Sequence, residues 1–200
     1  MIGILNYGLG NIGALKNIFI EENIQIKIIT YPEEIDNNIN KLILPGVGSY
    51  DNAIKLLIEK NLFNTIKKFA QIKSNFIMGI CVGMQILGFN SEEGSETGLN
   101  LIPGSVFKFS DNYIVPNMGW HRLITNKENL LLKKINNEDK FYFLHSYYFK
   151  TKDEENILAY SNYYYDFTSI INKDNVYGLQ FHPEKSHNSG KKILLNFNNL

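Results

Sequence analysis

The order of short apolar runs and amphipathic segments along the chain limits the fold more than any other feature. The runs IGILNY, IQIKIIT and KLILP are rich in β-forming residues, whereas apolar residues recur at helical spacing in NIGALKNIFIEEN and from about Asp51 to Ala70. A further β-rich run, Asn75 to Ile80, leads directly into Cys81. This order predicts βαβ units, with parallel strands in the middle of a sheet and helices on both faces. Ligands then bind at the carboxyl ends of the strands.

Beyond Gly104 the pattern changes to aromatic β-rich runs separated by polar turns. These runs are FYFLHSYYF, ILAYSNYYY and VYGLQF, and the amphipathic segment GKKILLNFNNL follows them. We expect antiparallel additions to the sheet and a closing helix. With 200 residues and 44% hydrophobic content, the chain has the usual size of one core. The sequence therefore predicts a single α/β domain over residues 1–200, with a mostly parallel central sheet, helices on both faces and antiparallel additions.

The charge balance argues against nucleic acid or an anionic membrane as a partner. Lys plus Arg and Asp plus Glu number 20 each, so the net charge is zero. No basic leader precedes an apolar core at the start, and the longest apolar run, FIMGICVGMQILGF, is too short to span a bilayer. The single cysteine fits a reducing compartment. We therefore expect a cytoplasmic protein that works on a small molecule or with another protein.

The segment from Gly79 to Gly83 places a glycine two positions on each side of Cys81, between an apolar strand and a helical run. This is the layout of a nucleophile elbow, a sharp turn that leaves no room for flanking side chains. Backbone N–H groups at the helix start favour an anion. They can therefore stabilise a thiolate and, through the Val82 N–H, the oxyanion of a tetrahedral intermediate. The alternative is a buried structural cysteine, but the elbow spacing favours the nucleophile.

A thiol nucleophile needs a base, and the chain offers four histidines. His182 is the candidate because it follows the strand VYGLQF, and Glu184, two residues later, can orient its imidazole. A His-Pro-Glu string by itself is typical of a surface turn, so the weight of this prediction comes from its pairing with the elbow. The predicted catalytic residues are Cys81, His182 and Glu184.

Two motifs, GICVGMQ and, about a hundred residues later, QFHPEKS, resemble the paired motifs of class I glutamine amidotransferases. Three more segments, PGVGSYDNAI, PNMGW and FYFLHSYY, resemble the glutaminase subunit of imidazole glycerol phosphate synthase, the HisH type. The likeness runs from NYGLGN near the start to the last helical segment. It implies a single α/β domain that releases ammonia from glutamine, passes it to a cyclase partner in a heterodimer, and needs no cofactor. His145 and His187 have no cysteine or carboxylate partners at ligand spacing, so no metal site is expected.

The resemblance also implies roles for residues outside the triad. The positions that match the glutamine-holding residues are Gln85, Glu93, Ser146 and Tyr147. The PGVG loop, with Gly46, Val47 and Gly48, matches the segment whose backbone completes the oxyanion hole beside Val82 and rearranges when the partner docks. Positions at the mouth that faces the synthase subunit are matched by Trp120, Tyr142 and Lys185.

The chain departs from the family pattern at three positions. It has Asn117 where a His is usual before Met-Gly-Trp, His121 where an Asn is usual after it, and Val82 where Leu is common. The predicted triad is complete, so these changes leave glutamine hydrolysis in place. Because two of them fall on the predicted partner-facing segment, they bear on which synthase accepts the ammonia.

Other functions compete with this interpretation. GLGNIG at 8 to 13 matches a dinucleotide-binding motif, but the second strand ends without an acidic residue and Glu33 follows Pro32 in an apparent loop. The tyrosines at 163 to 165 lack the basic neighbours that a nucleic-acid stacking surface needs. Three further alternatives stay open: the same glutaminase serving another acceptor such as a sugar amidotransferase, a stand-alone cysteine hydrolase or peptidase, and a non-catalytic subunit.

Overall fold

The computed structural model describes residues 1–200 and has one central sheet of eight strands. Four strands of the first half lie parallel in it: β1 (Ile2–Leu5), β2 (Ile26–Ile29), β3 (Lys41–Leu44) and β4 (Phe76–Ile80). The helices between them are α1 (Ile12–Glu21), α2 (Tyr50–Glu59) and α3 (Leu62–Ala70). The predicted βαβ arrangement is therefore confirmed.

The rest of the central sheet comes from the second half of the chain. Antiparallel additions are β8 (Ile124–Thr125), β11 (Ile157–Tyr163) and β12 (Tyr165–Lys173), whereas β13 (Val176–Leu179) lies parallel to β4. The order across the sheet is β2, β1, β3, β4, β13, β12, β11, β8. Helix α5 (His187–Asn198) closes the chain as expected. Strand β13 thus enters the middle of the sheet beside the strand that leads into Cys81.

The remaining strands form two small sheets. One pairs β7 (Asn117–Arg122) with β9 (Lys140–His145), and the other joins β5 (Asn90–Ser91), β6 (Gly104–Lys108) and β10 (Tyr147–Thr151). The prediction that FYFLHSYYF adds to the central sheet is therefore wrong. The run bends at Ser146, where side chains of His145 and Gln85 donate hydrogen bonds to the Tyr147 carbonyl oxygen.

Two local features follow from backbone conformation, and only the first departs from the predicted pattern. The helical stretch from Asp51 to Ala70 is divided at Asn61, whose φ of 58° takes the left-handed conformation that ends one helix and starts the next. In GLGNIG, Gly8 and Gly10 have φ values of 110° and 90°, which a turn from β1 into α1 requires. A Cβ at Gly10 would collide with Pro45, so this motif packs against the PGVG loop.

One hydrophobic cluster of 48 buried residues runs through the molecule and includes Cys81, which is consistent with one domain. No helix is long and apolar enough to cross a membrane. The carboxyl ends of β3, β4 and β13 meet at one edge of the central sheet. The predicted site residues follow these strands.

Candidate active site

Cys81 lies on a sharp turn between β4 and the short helix α4 (Val82–Gln85). Its φ of 54° and ψ of −111° are unusual for a residue with a side chain. A Cβ at Gly79 would collide with the backbone of Gly83, and one at Gly83 with the carbonyl group of Leu44, so neither flanking position has room for a side chain. The geometry is that of a nucleophile elbow.

Helix α4 has only four residues, and its first hydrogen bonds run from the N–H groups of Met84 and Gln85 to the Cys81 carbonyl oxygen, at 3.0 and 3.1 Å. The N–H of Val82 precedes these donors, as expected for an amide that can serve an oxyanion. The Cys81 side chain is 4% exposed and lies at the floor of a cavity.

His182 and Glu184 form the pair that the sequence predicts. The His182 Nδ1–H donates to Glu184 Oε1 at 2.9 Å, and each side chain is 2% exposed. Burial lowers the pKa of His182, but interaction with the Cys81 sulfur and with the Glu184 carboxylate outweighs it and raises that pKa to about 10. The arrangement therefore favours a protonated imidazole beside the Cys81 sulfur.

Backbone contacts hold the histidine in place. The His182 N–H donates to the Tyr142 carbonyl oxygen at 2.9 Å, and the Ser186 hydroxyl donates to the His182 carbonyl oxygen at 2.6 Å. The second carboxylate oxygen of Glu184 is buried without a partner. The negative charge of Glu184 is therefore balanced mainly by the His182 imidazole.

The cavity above Cys81 has a volume of about 240 Å³. Pockets for drug-sized ligands span roughly 300 to 1,000 Å³, so this one suits a smaller molecule. Its walls include ten of the predicted site residues: Val47, Gly48, Cys81, Val82, Gln85, Glu93, Ser146, Tyr147, His182 and Lys185. Three residues that carried no prediction, Pro116, Leu144 and His145, line it as well.

Glu93 reaches the cavity from the loop after β5. Its carboxylate accepts a hydrogen bond from the Tyr50 N–H at 2.9 Å and so caps the start of α2. Burial, opposed by this hydrogen bond and assisted by nearby Asp51, raises the pKa of Glu93. Gln85 reaches from α4 and donates to the Tyr147 carbonyl oxygen at 3.1 Å. These two of the four residues that the resemblance assigns to glutamine thus lie at the same cavity.

The PGVG loop is anchored at its base and open at its tip. The Tyr7 hydroxyl donates to the Pro45 carbonyl oxygen at 2.5 Å, and Gly46 is buried against Val82 and Gly83 of the elbow. Val47 is exposed, and Gly48 has a φ of 126°. Of the three predicted loop residues, Gly46 packs behind the cavity, whereas Val47 and Gly48 line it.

Trp120, Tyr142 and Lys185 group together beside the cavity. The rings of Trp120 and Tyr142 meet edge to face at 5.8 Å, and the Lys185 ammonium lies 5.7 Å from the Tyr142 ring centre. His187, which no motif singled out, stacks flat on Trp120 at 5.2 Å. With 43% of its surface exposed, Trp120 gives this face a large accessible aromatic side chain.

The two departures on β7 are joined in one hydrogen-bond chain. His121 Nε2 donates to Asn117 Oδ1 at 2.8 Å, Asn117 Nδ2 donates to His145 Nε2 at 3.1 Å, and His145 Nδ1 donates to the Tyr147 carbonyl oxygen at 2.8 Å. Burial lowers the pKa of His145 to about 3, so its ring stays neutral. Asn117 is fully buried, so it points into the molecule and not toward a partner, contrary to the interpretation from sequence.

Gln180 is the residue at this site that sequence reasoning missed. It lies within QFHPEKS, but that motif by itself predicts no role for it. The side chain is fully buried, with Oε1 3.2 Å from Gln85 Nε2 and Nε2 3.8 Å from the Cys81 sulfur. Its position directly after β13 and two residues before His182 was the available signal.

The parallel sheet, the elbow at its carboxyl edge and the adjoining His-Glu pair define a class: α/β proteins that carry a cysteine built for nucleophilic attack. Residues 4–199 match the family model of class-I glutamine amidotransferases. The chain therefore belongs to the class-I glutamine amidotransferases, and full-length relatives place it among their HisH-type glutaminase subunits.

Those relatives are named imidazole glycerol phosphate synthase subunit HisH. The protein of Leptospira borgpetersenii is 43% identical, with 100% of each chain covered, and that of Leptospira interrogans is 39% identical over the same shares. A relative from Methanococcus maripaludis, named subunit HisH 2, is 41% identical over 98% of each chain.

Solved structures agree on the fold. A crystal structure of a glutamine amidotransferase superposes with a TM-score of 0.78 at 19% identity, covering 100% of this chain and 99% of that one. The structure of PurLQS from Thermotoga maritima gives a TM-score of 0.77 at 18% identity, covering 99% and 97%. The predicted fold class is thus confirmed.

Proposed function

We propose that this chain is a glutaminase subunit that hydrolyses L-glutamine to glutamate and ammonia. It hands the ammonia to a synthase partner that makes imidazole glycerol phosphate and AICAR in histidine biosynthesis. The proposal depends on one observation: the Cys81, His182 and Glu184 side chains lie beside a small cavity that is also lined by Gln85 and Glu93. The names of the full-length relatives support the pathway.

In the first half of the reaction, the Cys81 thiolate attacks the side-chain amide carbon of glutamine. The oxyanion that forms is met by the Val82 N–H and by the backbone of the PGVG loop. His182, protonated beside the thiolate, gives its proton to the leaving nitrogen, and the C–N bond breaks to release ammonia and leave a γ-glutamyl thioester.

In the second half, neutral His182 takes a proton from water, whose oxygen attacks the thioester carbon. The C–S bond breaks, glutamate leaves, and the thiolate and the imidazolium are restored. Glu184 accepts the His182 Nδ1–H throughout, which directs Nε2 toward the sulfur and the substrate.

The proposal includes a heterodimer with a cyclase-type synthase subunit that docks on the face of Trp120, Tyr142 and Lys185. Aromatic side chains such as those of Trp120 and Tyr142 are enriched at protein interfaces. Ammonia would pass through that partner, because in water at neutral pH it becomes ammonium and loses its nucleophilicity. A cytoplasmic location belongs to the proposal, since a thiol nucleophile works only when it is reduced.

The test measures glutamate release by the purified chain, alone and with a cyclase subunit and its ribonucleotide ligand. We expect hydrolysis that the cyclase strongly stimulates, and its loss in the variant Cys81→Ala, with an unchanged melting temperature for that variant. Full activity of Cys81→Ala would contradict the mechanism. If a glutamine analogue alkylates Cys81 but the cyclase gives no stimulation, the acceptor is another synthase, such as a sugar amidotransferase. High turnover without any partner would indicate a stand-alone hydrolase.

A further inference from the structure

Gln180 occupies a position that the proposed mechanism does not use. It directly follows β13, its backbone N–H donates to the Ser169 carbonyl oxygen of β12 at 2.9 Å, and its side chain is fully buried. A buried amide side chain has two donors and an acceptor to satisfy. Its side-chain hydrogen-bond partners are the nucleophile Cys81 and the cavity residue Gln85.

The chemistry of the neighbours determines which way the Gln180 amide points. The Tyr147 carbonyl oxygen can only accept, so the Gln85 side chain must turn its NH₂ group toward it at 3.1 Å. The same NH₂ group lies 3.2 Å from Gln180, which must therefore present its oxygen. The Gln180 NH₂ group is then left facing the Cys81 sulfur at 3.8 Å.

A donor at this position favours the charged form of the sulfur. The other recorded polar neighbour of Cys81 is the Leu144 carbonyl oxygen at 3.9 Å, which can accept from a thiol but repels a thiolate. An N–H that donates to an anion forms a charge-assisted hydrogen bond, which is stronger than one to a neutral sulfur. The amide thus opposes the effect of the carbonyl when Cys81 loses its proton.

We propose that Gln180 stabilises the Cys81 thiolate and links it to the substrate-binding residue Gln85, because its amide donates to the sulfur and accepts from Gln85. This inference rests on the proposed function for its link to glutamine, but the contact with the sulfur stands without it. When bound substrate glutamine holds the Gln85 side chain in place, the Gln180 oxygen that accepts from Gln85 is held as well. The Gln180 NH₂ group then stays aligned with the Cys81 sulfur.

The experiment compares the rate at which iodoacetamide alkylates Cys81 as a function of pH, without glutamine or partner. In Gln180→Met, which keeps the length of the side chain but has no donor, we expect the rate at pH 7 to fall roughly tenfold and its midpoint to rise by about one pH unit. Gln180→Glu, which replaces the donor by a carboxylate, should shift the midpoint further in the same direction. The matched control is Ser169→Ala, since that neighbouring buried hydroxyl has no hydrogen-bond partner, and it should leave the profile unchanged.

A second readout follows the coupling to the substrate. With the partner present, Gln180→Met should raise the KM for glutamine as well as lower kcat, because Gln85 loses one of its two anchors. If Gln180→Met does not fold, Gln180→Glu, which has a matching shape, takes its place in the alkylation experiment. The side-chain amide signal of Gln180 in the NMR spectrum of the unmodified protein, which should move when Cys81 is alkylated, decides without any variant.

The outcomes separate this inference from the proposed function. An alkylation profile that is unchanged in the folded variants, or an amide signal that alkylation does not move, overturns the role of Gln180 even if glutamine is hydrolysed. A shifted profile in a chain that no partner induces to hydrolyse glutamine supports the contact with the sulfur and contradicts the proposed function instead.

Discussion

At the scale of single residues, the backbone of Cys81 is the most demanding feature of the site. A residue with a side chain at a φ of 54° and a ψ of −111° costs on the order of 1–3 kcal/mol relative to a relaxed conformation. Hydrogen bonds hold it there: the Cys81 N–H donates to the Leu179 carbonyl oxygen at 2.7 Å, and its own carbonyl accepts from Met84 and Gln85. This backbone conformation keeps the sulfur above the sheet.

This strain predicts an unusual order of stability for two inactive variants. Alanine normally stabilises a chain relative to glycine. At Cys81, however, we expect the free energy of unfolding of Cys81→Gly to exceed that of Cys81→Ala by about 1 kcal/mol, because only glycine adopts this conformation without strain. Both variants lack the sulfur, so they differ only in the backbone strain and in one methyl group. Urea unfolding of the two proteins measures the difference. An alanine variant as stable as the glycine variant would show that the turn is not strained.

At the scale of elements, the sequence predicted the parts of the fold that local patterns determine. Strands β1 to β4 lie close to their predicted positions because each is a short apolar run between amphipathic segments. The break at Ser146 was not predictable, since it depends on Gln85, which is distant in sequence and bonds the Tyr147 carbonyl. The interruption of the helix at Asn61 was visible in the sequence, because asparagine is among the few residues that tolerate a left-handed conformation.

The candidate site divides in the same way. The elbow and the His-Pro-Glu string are local patterns, so the sequence predicted that Cys81 and His182 would meet. The contact between Gln180 and the sulfur was not predictable from sequence, because the orientation of that amide is decided by a carbonyl group on another strand. Asn117 was placed at the partner surface because nothing in its own segment indicates that it is buried.

A second element-scale feature is the clamp between α2 and the loop that carries Glu93. Asp51, in the first turn of α2, accepts hydrogen bonds from the N–H groups of Ser95 and Glu96 at 3.1 and 3.0 Å. Glu93 in return caps the Tyr50 N–H. The clamp holds the Glu93 carboxylate at the cavity wall and so positions a predicted glutamine contact.

Removing the clamp should weaken substrate binding more than chemistry. In Asp51→Ala we expect the KM for glutamine to rise roughly tenfold, the size of one charge-assisted hydrogen bond, with a smaller change in kcat. Lys55→Ala is the control: it removes an exposed ion pair with Glu96 at 3.9 Å on the same loop and leaves the hydrogen bonds of Asp51 in place. Steady-state kinetics with the partner present measure both. Equal KM values for Asp51→Ala and the unmodified chain would mean that Glu93 is held by other contacts.

At the scale of the whole molecule, the cavity and the aromatic face lie on the same side, at the carboxyl edge of the sheet. Trp120 stacks on His187 at the start of α5 and meets Tyr142 of β9, so three separate segments support this face. Its position beside Lys185, which also lines the cavity, places a docked partner close to the site of ammonia release.

Truncating the exposed aromatic side chain should therefore affect assembly and leave the nucleophile unchanged. We expect Trp120→Ala to weaken partner binding by at least roughly 30-fold, the effect of about 2 kcal/mol at an interface hot spot. Alkylation of Cys81 by iodoacetamide should keep its rate. Ile72→Ala is the control, because this exposed residue precedes β4 at the opposite edge of the sheet. Calorimetric titration with the cyclase measures both affinities, and equal values would contradict the proposed interface.

The late position of β13 in the chain affects how the protein is made on the ribosome. Because β13 lies between β4 and β12, those two strands keep unpaired edges until it emerges, and such edges are where nascent chains aggregate or engage chaperones. His182 and Glu184 follow β13 directly, so the insertion that closes the sheet also delivers the partners of the thiol. During synthesis Cys81 is therefore an ordinary thiol, and it becomes reactive only in a molecule that has finished folding.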